Sequence, residues 1–300
     1  MDRLLAMQVF VRVVEANGFT RAAESLQMPK ASVTTLIQQL EGRLGIKLLN
    51  RTTRHVSVTA DGAAYYERCV RILGDVEETE QALGKVRRAP AGRLRVDVPA
   101  AAGRHVFAPA LPSFFERYPD IRLEMGCTDR PVDLLEEGVD CVVRGGLLPD
   151  SGLVARRVGE LEMVTCATPG YLDRYGTPQT PADLARHRHV NYFSSKTGRI
   201  LEFDFARNGE RLAFVADGPV AVNDGDAYVA LGRAGLGIMQ VPRYMVRKDL
   251  ADGRLLAVLP EWHSDPLPVH VMYPQNRHLS AKVRVFVDWV AEVFADLQKV

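Results

Sequence analysis

The chain is poor in cysteine, and its four cysteines lie far apart. Cys69, Cys127, Cys141 and Cys166 form no CxxC pair and no Cys/His cluster, so no zinc site is expected. They read as free, partly buried thiols of a reducing compartment, with no redox pair singled out. No apolar run approaches the ~18 residues that suggest a membrane span. The apolar start MDRLLAMQVFVRVVEANG is interrupted by charge and followed by no small-residue cleavage site, so no signal peptide is expected. These absences predict a cytoplasmic chain without a membrane partner. GxSxG, P-loop, HExxH and GxGxxG motifs are also missing, and the seven histidines are scattered. His187 and His189 read as residues of a surface loop. Catalysis needs a nucleophile, base and orienting group, or a metal cluster. The expectation is no enzyme, no metal and no cofactor.

What is present suggests about two domains, since 300 residues exceed one ordinary core. Charge divides them. Residues 1–95 hold fifteen Lys/Arg against ten Asp/Glu, and the rest hold twenty-three against twenty-seven. A basic N-terminal module on a mildly acidic body fits a polyanion partner for one part only.

After Asp2, a plausible N-cap, Leu4, Leu5, Met7, Val11 and Val14 recur at helical spacing until Gly18. Thr20 is a candidate cap for a second helix, Arg21–Leu26, with Ala22 and Ala23 allowing close approach. After Gln27-Met28-Pro29 a third helix is predicted from about Lys30 to Leu44. It carries Val33, Leu36, Ile37, Leu40 and Leu44 on one stripe and ends at Gly45. This is a helix-turn-helix pattern. Its outer face carries Lys30, Thr34, Thr35 and Gln38, groups suited to base edges and phosphates. Any amphipathic helix has a polar outer face, so the next segment matters more. Lys47–Asn50 and His55–Val58 are strand-like and flank the basic tip Arg51-Thr52-Thr53-Arg54, which makes a wing. The candidate contacts to double-stranded DNA are Thr20, Arg21, Lys30, Ala31, Ser32, Thr34, Thr35, Gln38, Arg51, Thr53 and Arg54. The alternative is an α/β binding or enzymatic domain whose N-terminal helices serve only as an oligomerisation arm.

Residues 59–88 contain no proline, and Ala63, Tyr66, Val70, Leu73, Val76, Leu83 and Val86 repeat at three- and four-residue intervals after Thr59. A thirty-residue helix spans about 45 Å, too long for the small winged module to cover, so pairing with a second copy is expected. Ala89-Pro90-Ala91-Gly92 reads as a hinge. From Arg93 onward the pattern alternates. Strands are predicted at Arg93–Val98, Ile121–Met125, Val139–Val143, Val164–Ala167, His189–Phe193, Ile238–Val241 and Val269–Tyr273. Helices are predicted after Val106, at Val132–Glu137, at Ala227–Arg233 and from Ser280. This is an α/β domain with a mainly parallel sheet and two lobes of about a hundred residues. Ligands bind such sheets beyond the carboxyl ends of the strands.

The run GFTRAAESLQMPKASVTTLIQQLEGRLGIKLLNRTTRHVSVTADG resembles the DNA-binding module of the LysR family of bacterial transcriptional regulators. The segments FFERYPDIRLE, DLLEEGVDCVVRGG, DSGLVARRVGELEMVTCATPGYLDRYGTPQTPADLARH and AGLGIMQVP resemble its effector domain. The resemblance implies a winged helix-turn-helix (1–58), a dimerising linker helix (59–88), a hinge (89–92) and a two-lobed α/β domain of periplasmic-binding-protein type II-like fold (93–300). Its first lobe would be about 93–163 and 268–300, its second about 164–267. It further implies a small-molecule inducer between the lobes, homodimers that commonly assemble into homotetramers, and contact with RNA polymerase for an activator. Candidate effector contacts are Ala100, Ala101, Thr128, Arg144, Gly145, Phe193, Asn223 and Asp224. Arg144 suits either an inducer carboxylate or an ion pair with Asp129 or Asp224. Pro29 and the three alanines 100–102 depart from the hydroxyl residues usual in relatives.

Overall fold

The computed structural model describes residues 2–51, 56–83, 89–134, 136–146, 152–215, 217–275 and 279–299. The chain divides into two units, Met1–Ala89 and Pro90–Val300.

The first unit runs α1 (Arg3–Glu15), α2 (Phe19–Ser25), α3 (Lys30–Leu44), β1 (Leu49–Arg51), β2 (Val56–Val58) and α4 (Ala60–Leu83). Asp2 caps α1 by accepting from the N–H groups of Leu4 and Leu5. Thr20 does not cap α2, because the helix starts two residues earlier than predicted, at Phe19 after Gly18, and Thr20 lies inside it. Gly45, at φ 70°, ends α3. The core joins Ala6, Val9, Phe10 and Val13 of α1 to Ala22, Ala23, Val33, Ile37, Leu40, Leu48, Leu49 and Cys69. The face of α1 is therefore not the one its spacing suggested. Leu5, Met7, Val11 and Val14 flank the core, and Leu4 is exposed. The helix is apolar at most positions, so periodicity does not fix its phase. Leu44 also leaves the α3 stripe for the surface.

Thr59 caps α4. Its Oγ1 accepts from the Gly62 N–H at 2.9 Å and donates to the Lys47 carbonyl at 2.7 Å. Gly62 is needed because a Cβ there would lie 2.0 Å from the Leu48 carbonyl oxygen. Tyr65 and Cys69 turn toward the unit's own core, with the Tyr65 ring 5.6 Å from Phe10. Tyr66, Val70, Leu73 and Val76 are half-buried, while Ala63 and Ile72 are exposed. Residues 84–88 of the anticipated linker helix lie outside the described residues.

The second unit runs β3 (Gly92–Val98), α5 (Ala100–Ala102), a π-helical turn (Gly103–Phe107), α6 (Ala108–Arg117), β4 (Ile121–Cys127), β5 (Cys141–Gly145), β6 (Leu153–Leu161), β7 (Met163–Ala167), α7 (Pro169–Tyr175), a 3₁₀ turn (Pro181–Arg186), β8 (Val190–Tyr192), β9 (Phe203–Arg207), β10 (Glu210–Phe214), β11 (Val220–Val222), α8 (Gly225–Arg233), β12 (Met239–Pro242), α9 (Arg243–Ala251), β13 (Leu256–Ala257), β14 (Leu267–Pro274) and α10 (Ala281–Lys299). One lobe is a five-stranded sheet, β4-β3-β5-β14-β6. Its inner face packs Leu94, Val96, Phe107, Phe114 and Val271 against Phe286, Trp289, Val290 and Phe294 of α10. The other lobe pairs β11 with β8, and β7 with both β12 and β13, and a parallel bridge from His189 to Ile238 joins the two groups.

The sheets are mixed where a mainly parallel arrangement was expected. β3, β4 and β5 are parallel, but β14 is antiparallel to β5 and β6, and β12 and β13 are antiparallel to β7. The chain crosses back between lobes on β6 and β14, and returning strands run against those they join. Val132–Glu137 forms turns among its described residues, not a helix, and Gly138 (φ 66°) closes them. His189 is not a surface residue: it is 1% exposed.

Candidate DNA-reading surface and inter-lobe cleft

The basis of the reading surface is a buried carboxylate. Glu41, on the inner side of α3, accepts the N–H groups of Leu48 and Leu49 at 2.9 and 3.2 Å and pairs with Lys47 at 3.4 Å. Burial alone pushes this carboxyl up, but the Leu49 and Leu48 N–H groups and the Lys47 ammonium outweigh it and hold the pKa below its ordinary value. Glu41 thereby fixes the start of β1 to α3.

On the opposite side of α3, Lys30, Ala31, Thr35 and Gln38 are exposed and Ser32 and Thr34 half-buried, while Thr20 and Arg21 of α2 are exposed. Thr34 and Thr35 donate their hydroxyl protons to the Lys30 and Ala31 carbonyls at 3.0 and 2.9 Å. Their outward chemistry is a methyl group and an oxygen left as acceptor. Pro29 supplies no capping side chain, so the first-turn N–H groups of α3 keep the positive end of its dipole uncovered. The Arg51 side chain, and Thr53 and Arg54 altogether, lie outside the described residues.

In the second unit, the segments after β3 and β4 meet the start of α8. Ala101 is 6% exposed and packs with Tyr228 and Met245 of the other lobe. Gly225 makes that approach feasible, since a Cβ would lie 3.1 Å from Ala101 Cβ and 3.2 Å from Met245 Cε. The Asp129 carboxylate accepts the Ala100 N–H at 3.3 Å. Burial, opposed by the Ala100 N–H and reinforced by Asp224, holds its pKa above the usual carboxylate value. Asp224 caps α8 by accepting the Ala227 N–H at 2.7 Å. Arg104 and His105 reach across to Asp226 at 2.6 and 2.7 Å. Tyr192 donates to the Asn223 carbonyl at 3.0 Å, and Asn223 Nδ2 donates to Ser195 Oγ at 3.2 Å. Tyr244 faces the same place. Burial first, then Asp129, Asp226 and Tyr192, push its phenol pKa up.

Ala100, Ala101, Asn223 and Asp224 thus gather around the α8 N-terminus. Thr128 accepts the Arg130 N–H at 3.2 Å within its own loop. Phe193 donates its N–H to the Val222 carbonyl at 2.9 Å, and Gly145 sits in the sheet against Leu267. Arg144 pairs with neither Asp129 nor Asp224. Its guanidinium meets Asp97 and the carbonyls of Asp97, Val143 and Arg130. Asp97 is 5% exposed, and burial outweighs Arg144 in holding its carboxyl above the usual range. Gly126 leaves room for it, because a Cβ there would lie 2.5 Å from Asp97 Oδ2. Sequence reasoning missed Asp97, Asp226, Tyr192 and Tyr244; a carboxylate inside a strand was the one signal available for Asp97. Among the described residues no group of three or more His, Cys, Asp or Glu could hold a metal ion. No helix of the described residues is long and apolar enough to cross a membrane.

Comparison with known proteins finds family models that match both regions of the chain. Residues 4–63 match the model of the bacterial regulatory helix-turn-helix protein, lysR family, and residues 87–295 that of the LysR substrate binding domain. The chain is 42% identical over 296 residues to the uncharacterized HTH-type transcriptional regulator YhjC of Escherichia coli (strain K12), covering 99% of each chain. It is 41% identical over 296 residues to the HTH-type transcriptional repressor PA14_22550 of Pseudomonas aeruginosa (strain UCBPP-PA14), covering 99% of this chain and 93% of that one. The solved structure of CrgA, a LysR-type transcriptional regulator from Neisseria meningitidis, is similar at a TM-score of 0.60 with 34% identity, covering 97% and 98% of the two chains.

Proposed function

The chain belongs to the LysR family of DNA-binding transcriptional regulators, which carry an effector-binding domain and are not enzymes, and on that premise we propose how its parts work. Residues 1–58 read DNA, 59–88 dimerise, 89–92 hinge, and 93–300 sense a small molecule. Lys30, Ala31, Ser32, Thr34, Thr35 and Gln38 enter the major groove, with Thr20 and Arg21 on the adjoining backbone and Arg51, Thr53 and Arg54 on phosphate or minor groove. The observation that carries this is the division of α3: one side is anchored through Val33, Ile37, Leu40 and Glu41, and the other is left polar and exposed beside the β1–β2 wing.

Two copies pair through Tyr66, Val70, Leu73 and Val76 of α4 and present two recognition helices to an interrupted inverted repeat. Dimers join into tetramers through the effector domains. A small molecule held near Ala100, Ala101, Asn223 and Asp224 prefers one arrangement of the lobes and shifts the assembly toward it. Arg144 acts from behind this site by positioning Asp97. Contact with RNA polymerase follows if the regulator activates. The work is done in the cytoplasm, without a cofactor.

The test is a genome-wide pull-down of DNA fragments with the full chain at near-physiological salt, with and without metabolite extract. Sharp peaks sharing an interrupted inverted repeat are expected. Diffuse enrichment under both conditions would refute a sequence-specific reader.

A further inference from the structure

Arg104 and His105 stand three and four residues after Ala101, so α5 and the π-helical turn bring all three to one side. All three meet α8 of the other lobe. Ala101 packs beside Gly225 and against Tyr228. Arg104 Nη1 donates to Asp226 Oδ2 at 2.6 Å, and His105 Nε2 lies 2.7 Å from Asp226 Oδ1. A carboxylate only accepts, so His105 carries its proton on Nε2. Each oxygen of one carboxylate is thus held by a separate arm from across the cleft.

Both ends of this contact stand on fixed bases. Val106 and Phe107, which follow the two arms, are buried, Phe107 in the core of the five-stranded sheet. Tyr228 and Val229, which follow Asp226, are buried in the core of the other lobe. Pairs such as Arg117–Glu292 and Arg156–Asp288 join elements within one lobe and are indifferent to how the lobes sit. The Asp226 contact exists only while the lobes are close. An exposed ion pair contributes little to folding. A contact made in one arrangement and absent from the other nevertheless contributes its whole worth to the balance between them.

We propose that Arg104, His105 and Asp226 form a latch that holds the two lobes closed and sets how much binding energy a ligand must supply to rearrange them. This rests on the reading of the second unit as an effector domain whose lobes move. The arms are 69% and 40% exposed and Asp226 is 25% exposed, so the latch can part without unfolding either lobe. Reversing the charge of Asp226 alone sets it against Arg104 and opens the lobes. Exchanging the charges of Arg104 and Asp226 remakes the pair.

Distances between the lobes test the latch. Nitroxide labels at Glu116→Cys on α6 and Asp173→Cys on α7, both exposed, are read by double electron–electron resonance in the full chain. Cys127, the exposed native cysteine, is changed to Ser, and labelled chains are diluted with unlabelled ones so that only distances within a subunit count. The parent should show one dominant distance. Asp226→Ala should add a second, lowering the closed-to-open ratio about fivefold, and Arg104→Ala with His105→Ala should give the same second distance. Asp226→Arg should open the lobes furthest, and Asp226→Arg with Arg104→Asp should return them toward the parent. Distances unchanged in Asp226→Ala and Asp226→Arg overturn the proposal, even where the melting temperature falls, because that marks a merely structural pair. A charge exchange as open as Asp226→Arg alone also overturns it. The effector reading fails separately. It falls if no molecule of a metabolite extract changes the wild type's operator affinity, whatever the distances show.

Discussion

The guanidinium of Arg144 lies 2.5 Å from Oδ1 of Asp97, inside one lobe and not across the cleft. The pair is largely shielded, with side-chain exposures of 21% and 7%. Removing one partner strands the other, which costs more than the intact pair contributes. Arg144→Met should destabilise the second unit by about 3 kcal/mol, and the double variant with Asp97→Asn should recover part of that. Both tryptophans, Trp262 and Trp289, lie in this unit, so urea unfolding followed by tryptophan fluorescence isolates it. Unchanged stability of Arg144→Met, with only its ligand response altered, would return Arg144 to the role of an effector contact.

The pairing also marks where sequence reading stops. Helix boundaries in the first unit were legible because Asp2, Thr59 and Gly45 act locally, through their own hydroxyl, carboxylate or backbone freedom. The phase of α1 was not legible, because Leu4, Val11 and Val14 are as apolar as Val9 and Val13 and only contact with α2, α3 and α4 selects between them. Strand β6 escaped notice as a strand because its exposed Ala155-Arg156-Arg157 stretch masks any alternation. The cleft was legible in outline, through residues following strands, but its partners were not. Arg104 meets Asp226 across 122 positions of chain, a distance that no local pattern reports.

The threonines of α3 give a test at the level of base reading. Their hydroxyl protons are held by Lys30 and Ala31 carbonyls, so their outward feature is the methyl, which suits a thymine methyl. Thr34→Val keeps the shape and the methyl and should leave operator affinity within about twofold. Thr34→Ser keeps the hydroxyl and loses the methyl, and should cost about 1 kcal/mol, roughly fivefold. Fluorescence anisotropy on the operator found by pull-down compares them. The reverse order would show that the hydroxyl leaves the helix backbone to make the contact.

The half-covered stripe of α4 predicts the assembly. Tyr65 and Cys69 serve the unit's own core, whereas Val70 and Leu73 keep apolar surface uncovered. A charge placed there is tolerated by a lone subunit and opposed in a packed pair. The variant Val70→Glu with Leu73→Glu should sediment as monomer with its circular dichroism retained. Its affinity for a two-half-site operator should fall about 100-fold through lost avidity, with little change for one half-site. A dimer that survives both charges would place the contact on another surface.

A buried histidine sets a pH limit on the second unit. His189 is 1% exposed, between the rings of Phe203 and Phe214 at 5.6 and 5.2 Å. Its Nδ1 meets the Asp217 carbonyl at 3.1 Å and so carries the ring proton, while Nε2 has no partner. Protonating Nε2 would create a buried cation whose new N–H has no acceptor, and burial accordingly holds this imidazole below its ordinary pKa of 6.5. The unfolded chain then binds the proton first as pH falls, and stability fully present above 6.5 is lost on acidification toward the folded pKa. Burial lowers His187 and His270 as well, which adds in the same direction. Asp97 and Asp129, raised from 3.8, act oppositely and nearer their own range. The melting temperature of the second unit should therefore fall between about pH 7.5 and 5.5. His189→Asn keeps a donor for Asp217 without a titrating group, so it should flatten that slope even if its melting temperature is lower throughout. An identical slope in the variant would assign the acid sensitivity to other groups.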